Sequence, residues 1–141
     1  MTETVPFEFE LDPYMRHLGF QAEVPAPGRA RVWGELRPEH LNSFGSAHGG
    51  FLFSLADSAF ALASNSHGAL AVALSAHIEY FKGTRAGDRL EAVATEISLT
   101  RRTGVYQIEI RNGAEAVALF TGTVYRRPEQ PTTLKAGNSA V

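Results

Sequence analysis

The stretch GGFLFSLADSAFALASNS, residues 49–66, constrains this chain more than any other. Ala, Leu and Phe fill it, and polar positions are few. Its composition and length predict one helix of about five turns at 3.6 residues per turn. A helix that is apolar nearly all round cannot stand in water, so the rest of the chain has to enclose it. The material for that lies on both sides. Upstream, residues 29–37 alternate, with Ala30, Val32, Gly34 and Leu36 on one face and Arg29, Arg31, Trp33 and Glu35 on the other. Downstream come four strand-like runs near 70–82, 88–101, 104–112 and 115–126. Lys82-Gly83-Thr84, Thr103-Gly104 and Asn112-Gly113 separate them, the last a strong hairpin signal. The predicted class is α+β, an antiparallel sheet wrapped around one long central helix.

Smaller features complete the outline. Residues 10–18 read as a short helix, with Asp12 as N-cap, Pro13 in the first turn and Gly19 as the stop. Residues 38–48, PEHLNSFGSAH, read as a loop. The 141 residues are expected to form a single domain over 1–127, with a polar, disordered tail over 128–141. In 71–80 the alternation puts Val72, Leu74, Ala76, Ile78 and Tyr80 on an apolar face. The other face, Ala71, Ala73, Ser75, His77 and Glu79, begins with small residues that would admit another subunit.

Composition removes several function classes. A net charge of -2 argues against a globally basic nucleic-acid binder. Without cysteine there is no disulfide, thiol nucleophile or thiolate metal site. No run approaches the roughly 20 apolar residues of a membrane span. The N-terminus lacks a secretory pattern. These readings point to the cytoplasm, with no nucleic-acid or membrane partner.

Asp57 is the most informative residue. Burying an ionised carboxylate without partners is costly. Ser54, Asp57, Ser58 and Ala61 share one helix face at i, i+3, i+4 and i+7. Asp57 could therefore bond to a neighbouring serine or face a solvent gap, or it could work on a substrate. The loop His40-Leu41-Asn42-Ser43-Phe44-Gly45-Ser46-Ala47-His48-Gly49-Gly50 delivers a glycine pair to the helix start. Backbone N–H groups there lack partners and carry partial positive charge, so they can hold an oxyanion. Gly49 and Asp57 are eight residues apart, roughly 12 Å at 1.5 Å per residue. One reacting carbonyl cannot meet both in one chain. If both act on one substrate, the second comes from another subunit, and a two-fold dimer with antiparallel helices supplies it.

The run NSFGSAHGGFLFSLADSAFALASNSHG resembles the phenylacetic-acid-degradation-type acyl-CoA thioesterases of the hotdog-fold superfamily. The pattern Asn, Gly, His-Gly-Gly, then Asp seven residues after the second glycine carries the resemblance, which covers about residues 10–126. It implies a hotdog fold, a five- to six-stranded antiparallel sheet around the helix, and homodimers with shared active sites that pair into homotetramers. It implies that Asp57 is the catalytic carboxylate, as base or nucleophile, and that the Gly49 N–H polarises the thioester carbonyl. Asn42 would position water or the carboxylate, His48 would lie near the thioester, and Ser75 would orient the attacking water. The implied substrate is an aryl-acetyl CoA ester, phenylacetyl or hydroxyphenylacetyl, with coenzyme A part of the substrate and no cofactor.

Coenzyme A carries several phosphate charges, so basic residues are expected at the pocket mouth. The candidates are Lys82, Arg85, Arg101 and Arg102, with the Arg101-Arg102 pair foremost. Phe44, Phe51 and Phe60 are candidates for lining an acyl pocket or for plain core. His48 could instead serve the loop through a backbone bond, and Ser75 could be a small interface residue. His17, His40, His67 and His77 have no metal-ligand spacing. Two other readings stay open: a hotdog acyl-CoA hydratase/dehydratase, which would recruit His48 and Asp57 as an acid/base pair, and a non-catalytic acyl-CoA-binding module.

Overall fold

A computed structural model describes residues 8–134. The elements run α1 (Pro13–His17), β1 (Gln21–Ala26), β2 (Arg29–Glu35), a 3-10 turn over 38–40, α2 (Gly49–Asn65), β3 (Ala69–Tyr80), β4 (Arg89–Leu99), β5 (Thr103–Asn112) and β6 (Glu115–Pro131). The six strands form one antiparallel sheet in the order β1-β2-β4-β5-β6-β3. The sheet curls around α2, which is the hotdog arrangement expected from the sequence.

Enclosure of α2 follows from its side chains. Phe51, Leu52, Leu55, Ala56, Ala59, Phe60, Leu62 and Ala63 are buried against the sheet. The strands answer with Val32, Ala92, Ile108 and Phe120, all at or near zero exposure. Gly122 of β6 leaves room for Phe60, whose ring tip presses on that strand: a Cβ there would come within 2.6 Å of the ring. Phe60 also packs on Tyr106 and Phe120, with ring centres 5.9 and 5.4 Å away. The stripe Gly50, Phe53, Ser54, Asp57 and Ala61 is what the sheet leaves uncovered or half-covered.

The short helix forms as expected. Asp12 caps it, its Oδ1 accepting from the Met15 amide at 2.8 Å, and Gly19 follows with a positive φ of 74°. Gly113, with φ 63°, sits in the two-residue turn that joins Asn112 to Glu115.

Three expectations change. First, β1 has no counterpart in the sequence reading. It is a short edge strand containing Pro25, a residue that weakens any strand signal because it cannot donate to a ladder. Second, β3 does not keep one alternation. Its register against β6 slips between Ala73, opposite Val124, and Ser75, opposite Thr123. Leu74 is the extra residue, a β-bulge, and a one-residue slip exchanges the faces. Ala71, Ala73, Ala76 and Ile78 therefore lie on the α2 side, while Val72 and Leu74 are 47% and 63% exposed. The expected apolar face of five alternate residues does not exist. Third, the expected disordered tail over 128–141 is ordered at its start. β6 continues to Pro131, the Thr132 amide donates to Gly68 O at 2.9 Å, and Leu134 packs on the core. Residues 135–141 of that tail lie outside the described residues.

Candidate active site

The loop 41–48 brings its chain onto the start of α2, and Asn42 shapes it. Asn42 Oδ1 accepts from the amides of Phe44 at 2.9 Å and Ser46 at 3.1 Å, which occupies both of its lone pairs. Asn42 Nδ2 leans on Ala47 O at 3.4 Å, so what this side chain still offers is an N–H. The Leu41–Ala47 bridge closes the loop.

His48 is the N-cap of α2. Its Nδ1 accepts from the Gly50 amide at 2.9 Å. A backbone N–H can only donate, so Nδ1 carries no proton and the ring proton sits on Nε2. The amides of Phe51 and Leu52 both donate to His48 O, at 2.9 and 3.3 Å. Three of the four first-turn donors are thus satisfied. Among the described residues, the Gly49 amide is the one left without a partner. The sequence left open whether His48 serves the loop or the reaction; the structure shows the backbone bond, and the bond itself isolates Gly49 as the free donor.

Gly49 lines a cleft of about 370 Å³ with Asn42, Ala47, Leu52, Tyr80 and Lys82. Tyr80 comes from the end of β3, and its hydroxyl donates to Gly49 O at 3.1 Å. A Cβ on residue 49 would meet that hydroxyl at 3.2 Å. Tyr80 is a site residue that sequence reasoning counted only as part of a strand face; its signal was the alternation that points it toward α2.

Asp57 stands two turns along, on the stripe turned away from the sheet. The two serines nearest it are already committed: Ser54 Oγ donates to Gly50 O and Ser58 Oγ to Ser54 O, each at 2.7 Å. Among the described residues no hydrogen-bond donor meets its carboxylate. The side chain is exposed in the single chain. Its pKa is nonetheless raised above the ordinary carboxylate value, chiefly by partial desolvation among its neighbours and secondarily by the negative charge of Asp12.

The remaining candidates separate. Ser75 sits at the bulge opposite Thr123, on the face turned from α2, and one chain does not bring it to Asp57 or Gly49. Lys82 lines the cleft but pairs with Glu115 at 2.8 Å. Arg102 pairs with Glu129 at 3.2 Å, and Arg101 is exposed beside it in the β4–β5 turn. That turn neighbours Tyr125, which pairs with Val72 close to the C-terminal end of α2, so neither arginine reaches the cleft of its own chain. Phe51 and Phe60 are core, at 5% and 1% exposure, and Phe44 is 93% exposed at the loop tip. Within one chain none of the three lines the cleft.

Comparison with known proteins follows the same lines. Residues 44–119 match the model of the family described as the thioesterase superfamily. The acyl-coenzyme A thioesterase PaaI of Escherichia coli is 42% identical over 84% of this chain and 85% of its own length. A protein of Archaeoglobus fulgidus that carries the name esterase is 49% identical over 70% of this chain; the match spans 65% of that relative's length. A solved structure of a mutant of the phenylacetic acid degradation protein PaaI from Thermus thermophilus superposes with a TM-score of 0.80. It is 54% identical over 82% of this chain and all of that one.

Proposed function

The chain belongs to the thioesterase superfamily, and from that premise we propose that it hydrolyses aryl-acetyl CoA thioesters at a site shared between two subunits. The Escherichia coli relative carries the name acyl-coenzyme A thioesterase, which supports hydrolysis of an acyl-CoA thioester. The observation that carries the mechanism is a Gly49 amide at the start of α2 and an Asp57 carboxylate on the same helix, neither with a hydrogen-bond partner among the described residues. The thioester oxygen rests on the Gly49 N–H, where the helix terminus favours developing negative charge. Asp57 removes a proton from water as the water oxygen attacks the carbonyl carbon. The C–S bond then breaks and coenzyme A leaves as a thiolate, a leaving group that needs no strong acid. The His48 Nε2–H and the free Asn42 N–H are donors available near the reacting atoms.

Roughly 12 Å along one helix separates Gly49 from Asp57, which supports a pairing of each Asp57 with the partner's N-terminus. The unpaired edge of the 12-residue strand β3, with Val72 and Leu74 exposed, supports a two-fold dimer formed there. In such a dimer Ser75 stands at the subunit boundary. Arg101 and Arg102, at the far end of their own α2, approach the other chain's helix start and its coenzyme A phosphates. The aryl-acetyl preference draws its support from the names of the PaaI relatives.

The test is free-thiol release from phenylacetyl, hydroxyphenylacetyl, benzoyl and straight-chain CoA esters, with Asp57→Ala beside the unaltered protein and the oligomer measured by light scattering. The expected result is turnover fastest on the aryl-acetyl esters, a loss of orders of magnitude in the variant, and a dimer or its multiple. Release that survives Asp57→Ala would refute the mechanism. Preference for a straight chain would refute the acyl assignment alone.

A further inference from the structure

The peptide group between Gly49 and Gly50 is held at both of its ends. Its N–H donates to His48 Nδ1 at 2.9 Å. Its carbonyl, Gly49 O, accepts from the Tyr80 hydroxyl at 3.1 Å. One bond comes from the residue that caps the helix and the other from the sheet. The peptide group just before it carries the free Gly49 N–H. Its carbonyl, His48 O, accepts from the Phe51 and Leu52 amides at 2.9 and 3.3 Å. Those two bonds turn the Gly49 N–H away from the helix body for as long as the first turn is intact. Glycine has the widest backbone freedom of any residue, and helix ends fray, so the first turn of α2 needs an anchor outside the helix.

Tyr80 can be that anchor because its own strand end is fastened. Tyr80 pairs with Ala118 of β6, and the next two amides, Phe81 and Lys82, donate to Val117 O at 2.9 and 3.3 Å. Val117 and Ala118 are fully buried. The bulge at Leu74 sets the side from which the ring leaves β3. Beyond it Tyr80 has the parity of Ala76 and Ile78, which is the α2 side. The ring then presses on residue 49. A Cβ there would lie 3.2 Å from the hydroxyl oxygen and 3.3 Å from the ring carbon that bears it. One side chain thus favours glycine at position 49 and restrains the freedom which that glycine brings.

We infer that Tyr80 is a positioning residue for hydrolysis: its hydroxyl ties the first turn of α2 to β3 and keeps the Gly49 N–H directed into the cleft that both residues line. This inference rests on the reading of Gly49 as the donor to the thioester oxygen. Such a donor acts by standing in place before negative charge develops. A donor that swings with a fraying turn stabilises the transition state less, while contacts along the rest of the CoA ester are unaltered. The loss therefore falls on kcat and leaves KM.

Tyr80→Phe keeps the ring and removes the hydroxyl alone, and two measurements read its effect. On phenylacetyl-CoA, kcat is expected to fall about tenfold with KM within about twofold, less than the 10²–10³ that follows outright removal of an oxyanion donor. In native-state hydrogen exchange followed by NMR, the Gly50 amide is expected to exchange about tenfold faster, with the Tyr106 and Ile108 amides of the buried sheet unchanged. The sheet amides show that the variant is folded, and the Gly50 amide reports the clamp without reference to activity. An unaltered protein that hydrolyses the ester, beside a Tyr80→Phe variant with the same kcat or the same Gly50 exchange, would overturn this inference alone. A raised KM at constant kcat would also overturn it, by assigning Tyr80 to substrate binding. No thiol release by the unaltered protein from any of the esters would overturn the reading of Gly49, and this inference with it.

Discussion

His48 Nδ1 accepts the Gly50 amide at 2.9 Å, and that single bond turns the start of α2 into a site with one free donor. The cap spends the second amide of the helix, the His48 carbonyl takes the third and fourth, and the Gly49 amide remains. Under the proposed mechanism capping and chemistry meet in this one side chain, and substitution can separate them.

His48→Asn keeps a cap of comparable strength, whereas His48→Ala removes it at a cost of about 1 kcal/mol. Thermal unfolding should therefore place His48→Asn near the unaltered protein and His48→Ala several degrees lower. Both should lose turnover, since neither offers an Nε2–H. Full activity in His48→Asn would assign this residue to the cap alone.

Asp57 is expected to destabilise the fold it serves. Its pKa is raised, so the folded state holds the proton more tightly than the unfolded chain. Below the unfolded value both states are protonated and no cost appears. As pH rises through the folded value, the ionised carboxylate becomes a burden on the folded state. Asp57→Asn should unfold at higher urea concentration than the unaltered protein at pH 7.5, and the gain should fade near pH 3. A variant less stable than its parent at neutral pH would contradict this.

Gly122→Ala places a methyl group within 2.6 Å of the Phe60 ring. The ring is enclosed by Tyr106 and Phe120 and has nowhere to withdraw. Overpacking of this kind costs about 1–3 kcal/mol. The midpoint of urea unfolding should fall accordingly, and Phe60→Leu in the same chain should recover part of the loss. Additive effects of the two substitutions would show that the contact is not the cause.

Asn65 joins three segments. Its Nδ2 donates to Ala61 O and Ala71 O, and its Oδ1 accepts from the Ala71 amide and from Thr132 Oγ1 at 2.6 Å. The residue is 3% exposed. Asn65→Leu strands the Ala71 groups without partners, at about 1–3 kcal/mol for each buried polar group left unmade. Ending the chain after residue 127 removes Thr132 and should also lower the melting temperature, by less. An unchanged melting temperature in the shortened chain would return the C-terminal segment to the tail that its composition suggested.

Much of the candidate site was legible in the sequence because its residues are local. Asn42, His48, Gly49 and Asp57 lie within sixteen residues of one another on a loop and the helix it feeds, and helical geometry relates them without tertiary information. The helix was legible too, because a segment apolar nearly all round admits few surroundings. Long-range pairing was not. The bulge at Leu74 exists only against β6, and it decides which β3 residues face α2 and that Ser75 does not. The docking of Tyr14 on Ser54 was not legible either, because it joins residues 40 apart in the chain. Arg101 and Arg102 looked like cleft residues by charge, yet the hairpin carries them to the other end of the helix. Periodicity and spacing act over one or two turns, so the sequence by itself determined the helix, its free N-terminus and its lone carboxylate. Register and packing depend on partners far along the chain, and the tertiary structure alone decided what surrounds them.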